Sequence, residues 1–418
     1  MELTPPEKLK NGLNILINPT KHLHSVGIAI GIDYGSIYES KDVNGSAHIL
    51  EHMPFEGTKN RNVRDIRREF LWNKDGFSAG TSRESTMFYF QSEPSRVKTA
   101  LSMLADMVQN AVIDGKELDE ERGPILNELL KDKDNPEIYT ADRIYSLAFR
   151  NQPAGRLVIG TKRVIKNISR EHVLDIYRKY YTPRAMTVSI YGNISKERAM
   201  SLVRENFEDF DRPYTPHVAD DSPGPSKHVE FIEEKPKINF MRSMTAFAFP
   251  GSRTMLKNNP KDVAAVPLLE TILEQRIKNA IREKLSLSDC TDAQYDVGKT
   301  YGLIAIGYGG LMSKHKSATK HIERVVDDLS NGEITKEELE QAKCVYLSDW
   351  EGSLDDPSFS SFTIADMYTI HSFQPDALCN IISNDFSLDD MRGSANRYLN
   401  NNKSTVFTLR PAGNKNGS

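Results

Sequence analysis

Gly45-Ser46-Ala47-His48-Ile49-Leu50-Glu51-His52-Met53-Pro54-Phe55-Glu56-Gly57-Thr58 is the stretch from which the rest of the chain is read. His48 and His52 are four residues apart, so on a helix they stand one above the other on the same face. Two imidazoles held that way offer two corners of a tetrahedral zinc site. Glu51 borders the same face, where a carboxylate can reach a water beside the ion and take its proton. Histidine is scarce, 10 in 418 residues, so a chance pairing on a solvated helix is the weaker explanation.

A catalytic zinc site needs a third protein ligand and an open position. Glu120-Glu121-Arg122-Gly123-Pro124-Ile125-Leu126-Asn127-Glu128 presents acidic residues seven apart, two helical turns on one face. Spacing alone does not choose among them, because acidic residues are abundant on solvated helices. The order H-x-x-E-H is the inverzincin order, and the quoted stretch resembles the core motif of the pitrilysin/insulinase family of zinc peptidases. The branch most similar holds the mitochondrial processing peptidase and its short prokaryotic relatives. That resemblance implies His48, His52 and Glu128 as ligands of one Zn2+ per chain. It also implies Glu51 as general base and Glu121 as an acidic residue supporting the site from outside.

Further landmarks of the family follow. Gly35-Ser36 with Glu39 resembles its turn before the zinc helix. Phe77-Ser78-Ala79-Gly80-Thr81-Ser82-Arg83-Glu84 resembles its substrate-pairing strand, which implies substrate contacts at Phe77, Ser78 and Ala79. The family has Asn-Ala where this chain has Ser78-Ala79, so one polar contact to substrate is expected to be weaker. Ile159-Gly160-Thr161, Tyr180-Tyr181-Thr182-Pro183 and Gly192-Asn193 match later landmarks. In the second half the family pattern is a glycine run, then an Arg and, seven residues on, a Tyr, which together hold the substrate carbonyl. Here the glycine run is missing, Arg282 matches the Arg, and Asp289 stands at the Tyr position, with Tyr295 as an alternative. Turnover that is slow for the family is the expectation.

Composition sets limits. With 54 basic against 58 acidic side chains the net charge is −4. No concentrated basic face suggests a nucleic-acid partner. No apolar run approaches a membrane span, and no signal peptide is visible. Cys290, Cys344 and Cys379 are scattered without paired spacing, which reads as reduced thiols in a cytoplasmic protein.

Strands are expected over 13–18, 25–31, 85–91, 186–191, 238–248 and 301–307, where apolar and polar residues alternate. Helices are expected over 46–53, 64–72, 95–109, 116–131, 170–181, 196–206, 264–284 and 313–329, the fourth interrupted at Gly123-Pro124. The proline-rich run 213–226 cannot continue either element. Lys336-Glu337-Glu338-Leu339 echoes Lys116-Glu117-Leu118-Asp119 at a similar place in its half. The pattern predicts an α+β protein of two similar halves, each a mostly antiparallel sheet with helices packed on one face. The expected division is 1–214 as a zinc-binding catalytic domain, 215–228 as linker and 229–418 as a homologous domain without metal. The resemblance also implies a homodimer that encloses a peptide substrate, because family members use two such pairs of halves.

Overall fold

The computed structural model describes residues 3–71, 77–236, 238–279 and 291–412. Among the described residues eleven strands run in chain order as β1 (Glu7–Lys8), β2 (Asn14–Pro19), β3 (Val26–Ile32), β4 (Phe77–Thr81), β5 (Thr86–Ser92), β6 (Met186–Gly192), β7 (Val229–Lys235), β8 (Met241–Phe249), β9 (Thr291–Val297), β10 (Gly302–Gly310) and β11 (Thr405–Pro411). The strands expected from alternation are β2, β3, β5, β6, β8 and β10. The helix expected to break at Gly123-Pro124 runs unbroken over Gly115–Asp134. Both residues are solvent-exposed, so water can reach the carbonyl that proline leaves without a donor.

The chain divides into two compact units, each assembled from three stretches. One holds Met1–Leu129, Arg156–Ala219 and Trp350–Ala377; the other holds Leu130–Gly155, Asp220–Asp349 and Leu378–Ser418.

The first unit is built on a sheet of order β1-β2-β6-β3-β5-β4. Every pair is antiparallel except β2 with β6. The central strand β3 reads Val-Gly-Ile-Ala-Ile-Gly-Ile, so large and small side chains fall on opposite faces. Val26, Ile28, Ile30 and Ile32 enter the main core with Ile49, Leu50, Leu101, Leu104, Val173, Leu202 and Val203 from the helices over that face. Each such side chain contributes ~1.5–3 kcal/mol when fully buried. Gly27, Ala29 and Gly31 face the other way and receive the helix Pro357–His371. A Cβ on Gly27 would lie 1.8 Å from the carbonyl oxygen of Pro357, and one on Gly31 would lie 2.4 Å from Thr369 Oγ1. Only a strand face without side chains admits a helix this close.

The second unit repeats the plan with order β7-β11-β8-β10-β9, parallel only between β7 and β11. Position for position, β7, β11, β8, β10 and β9 stand where β2, β6, β3, β5 and β4 stand. On β8, Arg242 reaches Glu137 of the helix Pro136–Ala148 at 3.3 Å, whereas Phe249 packs on Tyr398 of the helix Leu388–Tyr398. The two residues are an odd number apart, so these helices cover opposite faces.

Each unit therefore carries helices from its own half of the sequence on one face, as expected, and one helix from the other half on the opposite face. Both exchanged helices begin alike. Asn135 and Asp356 accept hydrogen bonds from the first backbone N–H groups, and proline occupies the first helical position.

Candidate metal centre

The helix Ser46–His52 starts at Gly45, whose φ of 106° lies in the left-handed region open to glycine. Its free N–H groups are met by a buried side chain. Glu39 Oε2 accepts from Gly45 N at 2.7 Å and Asn44 Nδ2 at 2.8 Å; Oε1 accepts from Ala47 N at 2.6 Å and Ser46 Oγ at 2.9 Å. A carboxylate here satisfies orphan donors and complements the positive end of the helix. The sequence marks Glu39 only as part of a turn; its role as a cap follows from the fold.

The helix presents His48, Glu51 and His52 together. His48 and Glu51 are buried and His52 is half-buried. The two imidazole centroids are 4.8 Å apart. Glu128, from the helix Gly115–Asp134, places Oε1 3.5 Å from His48 Nε2 and Oε2 3.8 Å from His52 Nε2. One ligand atom from each of the three lies within 4.8 Å of the others. Ligands on one tetrahedral zinc sit ~3.4 Å apart, given metal–ligand distances of ~2.1 Å, so the trio fits that ion. Among the described residues no other group of three such side chains converges.

Glu121, two turns before Glu128, reaches the far side of His52, with Oε2 3.2 Å from Nδ1. A proton on Nδ1 donated to Glu121 leaves the Nε2 lone pair facing the centre. Burial pulls His52 down, but the bond to Glu121 and the charges of Glu51, Glu121 and Glu128 outweigh it and raise its pKa. Arg122 anchors the glutamate helix by donating to the carbonyls of Ile165 and Ile168.

Among the described residues β4 pairs with β5 alone, so it forms a sheet edge. Phe77 and Ala79 pack toward the main core, and by alternation Thr81 shares their side while Ser78 points away. Thr81 donates its hydroxyl to Glu51 Oε2 at 2.6 Å. The spacing of β4 contains that signal, since every second residue from Phe77 faces the zinc helix, but the sequence reading stops at Ala79. Phe77 also stacks with Phe70 and meets Phe55 edge-on, forming an apolar wall beside β4. Arg282, Asp289 and Cys290 lie outside the described residues. Tyr295 lies on the edge strand β9, partly exposed. No helix among the described residues is long and apolar enough to cross a membrane.

Residues 15–162 match the family described as Insulinase (Peptidase family M16), and residues 167–345 match Peptidase M16 inactive domain. An uncharacterized zinc protease of Rickettsia bellii is 27% identical over 414 residues, 96% of each chain. A probable mitochondrial-processing peptidase subunit beta of Arabidopsis thaliana is 32% identical over 199 residues, 48% of this chain and 38% of that protein. A crystal structure of a protease from Helicobacter pylori superposes with a TM-score of 0.88 at 20% identity, covering 97% of this chain and 99% of that one.

Proposed function

Because the chain belongs to the insulinase family of M16 peptidases, we propose that it is a zinc-dependent endopeptidase cleaving peptides or unfolded segments. The observation that carries this reading is the convergence of His48, His52 and Glu128 beside the Glu51 carboxylate. His48, His52 and Glu128 would hold the ion, and Glu121 would fix the His52 tautomer from behind. Bound zinc supplies Lewis-acid polarisation of a peptide carbonyl and acidifies water at its open position. Glu51 accepts the proton of the attacking water and hands it to the leaving amine. The free edge of β4 takes the peptide as an added strand, with main-chain bonds giving affinity and pockets near Phe77, Ser78 and Ala79 giving selection. Arg282, by resemblance, assists at the substrate carbonyl.

The described residues form one pair of halves, and by resemblance to a family that encloses substrate between two such pairs the working form is proposed to be a homodimer enclosing a chamber. Residues 1–214 form the catalytic half of the sequence, 215–228 the linker and 229–418 the half without metal. The scattered spacing of Cys290, Cys344 and Cys379 suits a cytoplasmic setting. A non-catalytic subunit is the second reading, favoured by the match of residues 167–345 to a domain described as inactive.

The test is a zinc-loaded preparation, sized by light scattering and incubated with a mixed peptide library under mass spectrometry. The expected result is chelator-sensitive cleavage by a dimer with one zinc per chain. His48→Ala and Glu128→Gln should lose zinc and cleavage together. Full zinc with no cleavage would select the non-catalytic reading. Full zinc in either variant would refute the ligand set, and cleavage by a monomer would refute the chamber.

A further inference from the structure

Thr81 closes β4, and its hydroxyl is the donor to Glu51 Oε2 at 2.6 Å. We propose that Thr81 is a positioning residue that fixes the Glu51 carboxylate in the orientation from which its other oxygen receives the water proton. The inference rests on the peptidase reading, since it takes Glu51 as the base.

The end of a glutamate is its softest part. The helix Ser46–His52, held at its head by Glu39, fixes the Glu51 backbone, but the terminal torsion of a glutamate is broad and roughly two-fold. A base must present one oxygen to a water at hydrogen-bond distance. A donor on Oε2 removes that freedom and leaves Oε1 as the acceptor. The distance falls in the short range of a hydroxyl bonded to an ionised carboxylate, about 2.5–2.7 Å.

Thr81 is itself firmly held. Its backbone pairs with Thr86, and Ser82 N donates to Ser85 O at 2.8 Å across the turn that follows. Ser82 Oγ accepts from Glu84 N and Ser85 N, at 3.2 and 2.9 Å. The threonine is β-branched and stiff at χ1. One rigid hairpin thus carries both the free strand edge and the hydroxyl that orients the base. Docking a peptide on β4 and aiming Glu51 become two uses of the same fixed element.

The test uses the zinc-loaded full chain and a quenched fluorescent peptide copied from the best-cleaved library member. Thr81→Val keeps the shape and removes the hydroxyl; Thr81→Ser keeps the hydroxyl. Thr81→Val should retain one zinc per chain and hold KM within about twofold, while kcat falls about 10- to 100-fold, the loss expected for one charge-assisted hydrogen bond. Thr81→Ser should recover most of that loss. In a Glu51→Gln background, Thr81→Val should cost no further rate, because the group it positions is gone. A second readout does not depend on turnover. Urea midpoints of the two single variants and the double variant should be non-additive, since Glu51→Gln weakens, by removing the charge, the same bond that Thr81→Val removes. An unimpaired Thr81→Val, an equal loss in Thr81→Ser, or additive effects in either cycle would overturn the inference. The kinetic results require a wild type that cleaves; the urea cycle does not. A wild type that cuts no peptide overturns the peptidase reading itself, and this inference with it.

Discussion

Glu39 shows how a single side chain sets the start of the metal-binding helix. Burial pushes its carboxyl up to about 7, against the opposing pull of its hydrogen bonds from Ala47, Asn44, Gly45 and Ser46. In the unfolded chain it titrates near its ordinary 4.5. Between those values the folded protein keeps a proton that the unfolded chain has released. This contribution to stability is therefore complete below about 4.5 and disappears as the pH rises through about 7. A shift of that size corresponds to at most ~3 kcal/mol. Glu39→Gln does not titrate, so its urea midpoint should fall less than that of the wild type over this range. The comparison belongs in chelator, because metal binding adds a pH dependence of its own. Parallel curves for the two proteins would remove Glu39 from the account. At this scale the sequence is legible where chemistry is local. His48, Glu51 and His52 sit within one helical turn and can be read from spacing. Glu39 and Thr81 act through contacts made only after strands and helix have packed; the alternation of β4 gives the side of the strand on which Thr81 lies, but not its partner.

Among the elements, β3 is the most exacting. One face supplies isoleucines to the core, and the other is bare so that the helix Pro357–His371 can lie against it. Gly27→Ala forces a Cβ into the Pro357 carbonyl, which is backbone and cannot rotate aside. Its cost should reach or pass the upper end of the ~1–3 kcal/mol typical of overpacked cores. Gly80→Ala on β4 is the control, since a Cβ there meets nothing within 4 Å. Urea denaturation of the two variants should separate them clearly; equal stabilities would mean that the helix yields. The alternation of β3 is visible in the sequence, but alternation alone reads Gly27, Ala29 and Gly31 as the solvent face of a half-buried strand. The helix that covers them begins some 325 residues later at Pro357, and no local pattern links the two. Its opening, Asp356-Pro357, and the matching Asn135-Pro136 are recognisable helix starts. What they pack against is not written nearby.

The whole molecule is held by that reciprocal loan of helices. Each unit lacks a layer unless the other half of the sequence contributes it, so neither half should fold as a separate domain. A fragment of residues 1–228 retains every metal and base residue but lacks the helix Pro357–His371. It should show no cooperative urea transition; a sharp transition at the midpoint of the intact chain would contradict this. The exchange also orders events in time. A ribosome releases the chain from its N-terminus. The two histidines and their glutamates emerge first, yet the sheet beneath them waits for a helix encoded far downstream of them. A peptidase of the kind proposed would thus stay incomplete while the intervening nascent chain is unfolded and within reach, and would mature only after that helix has been made.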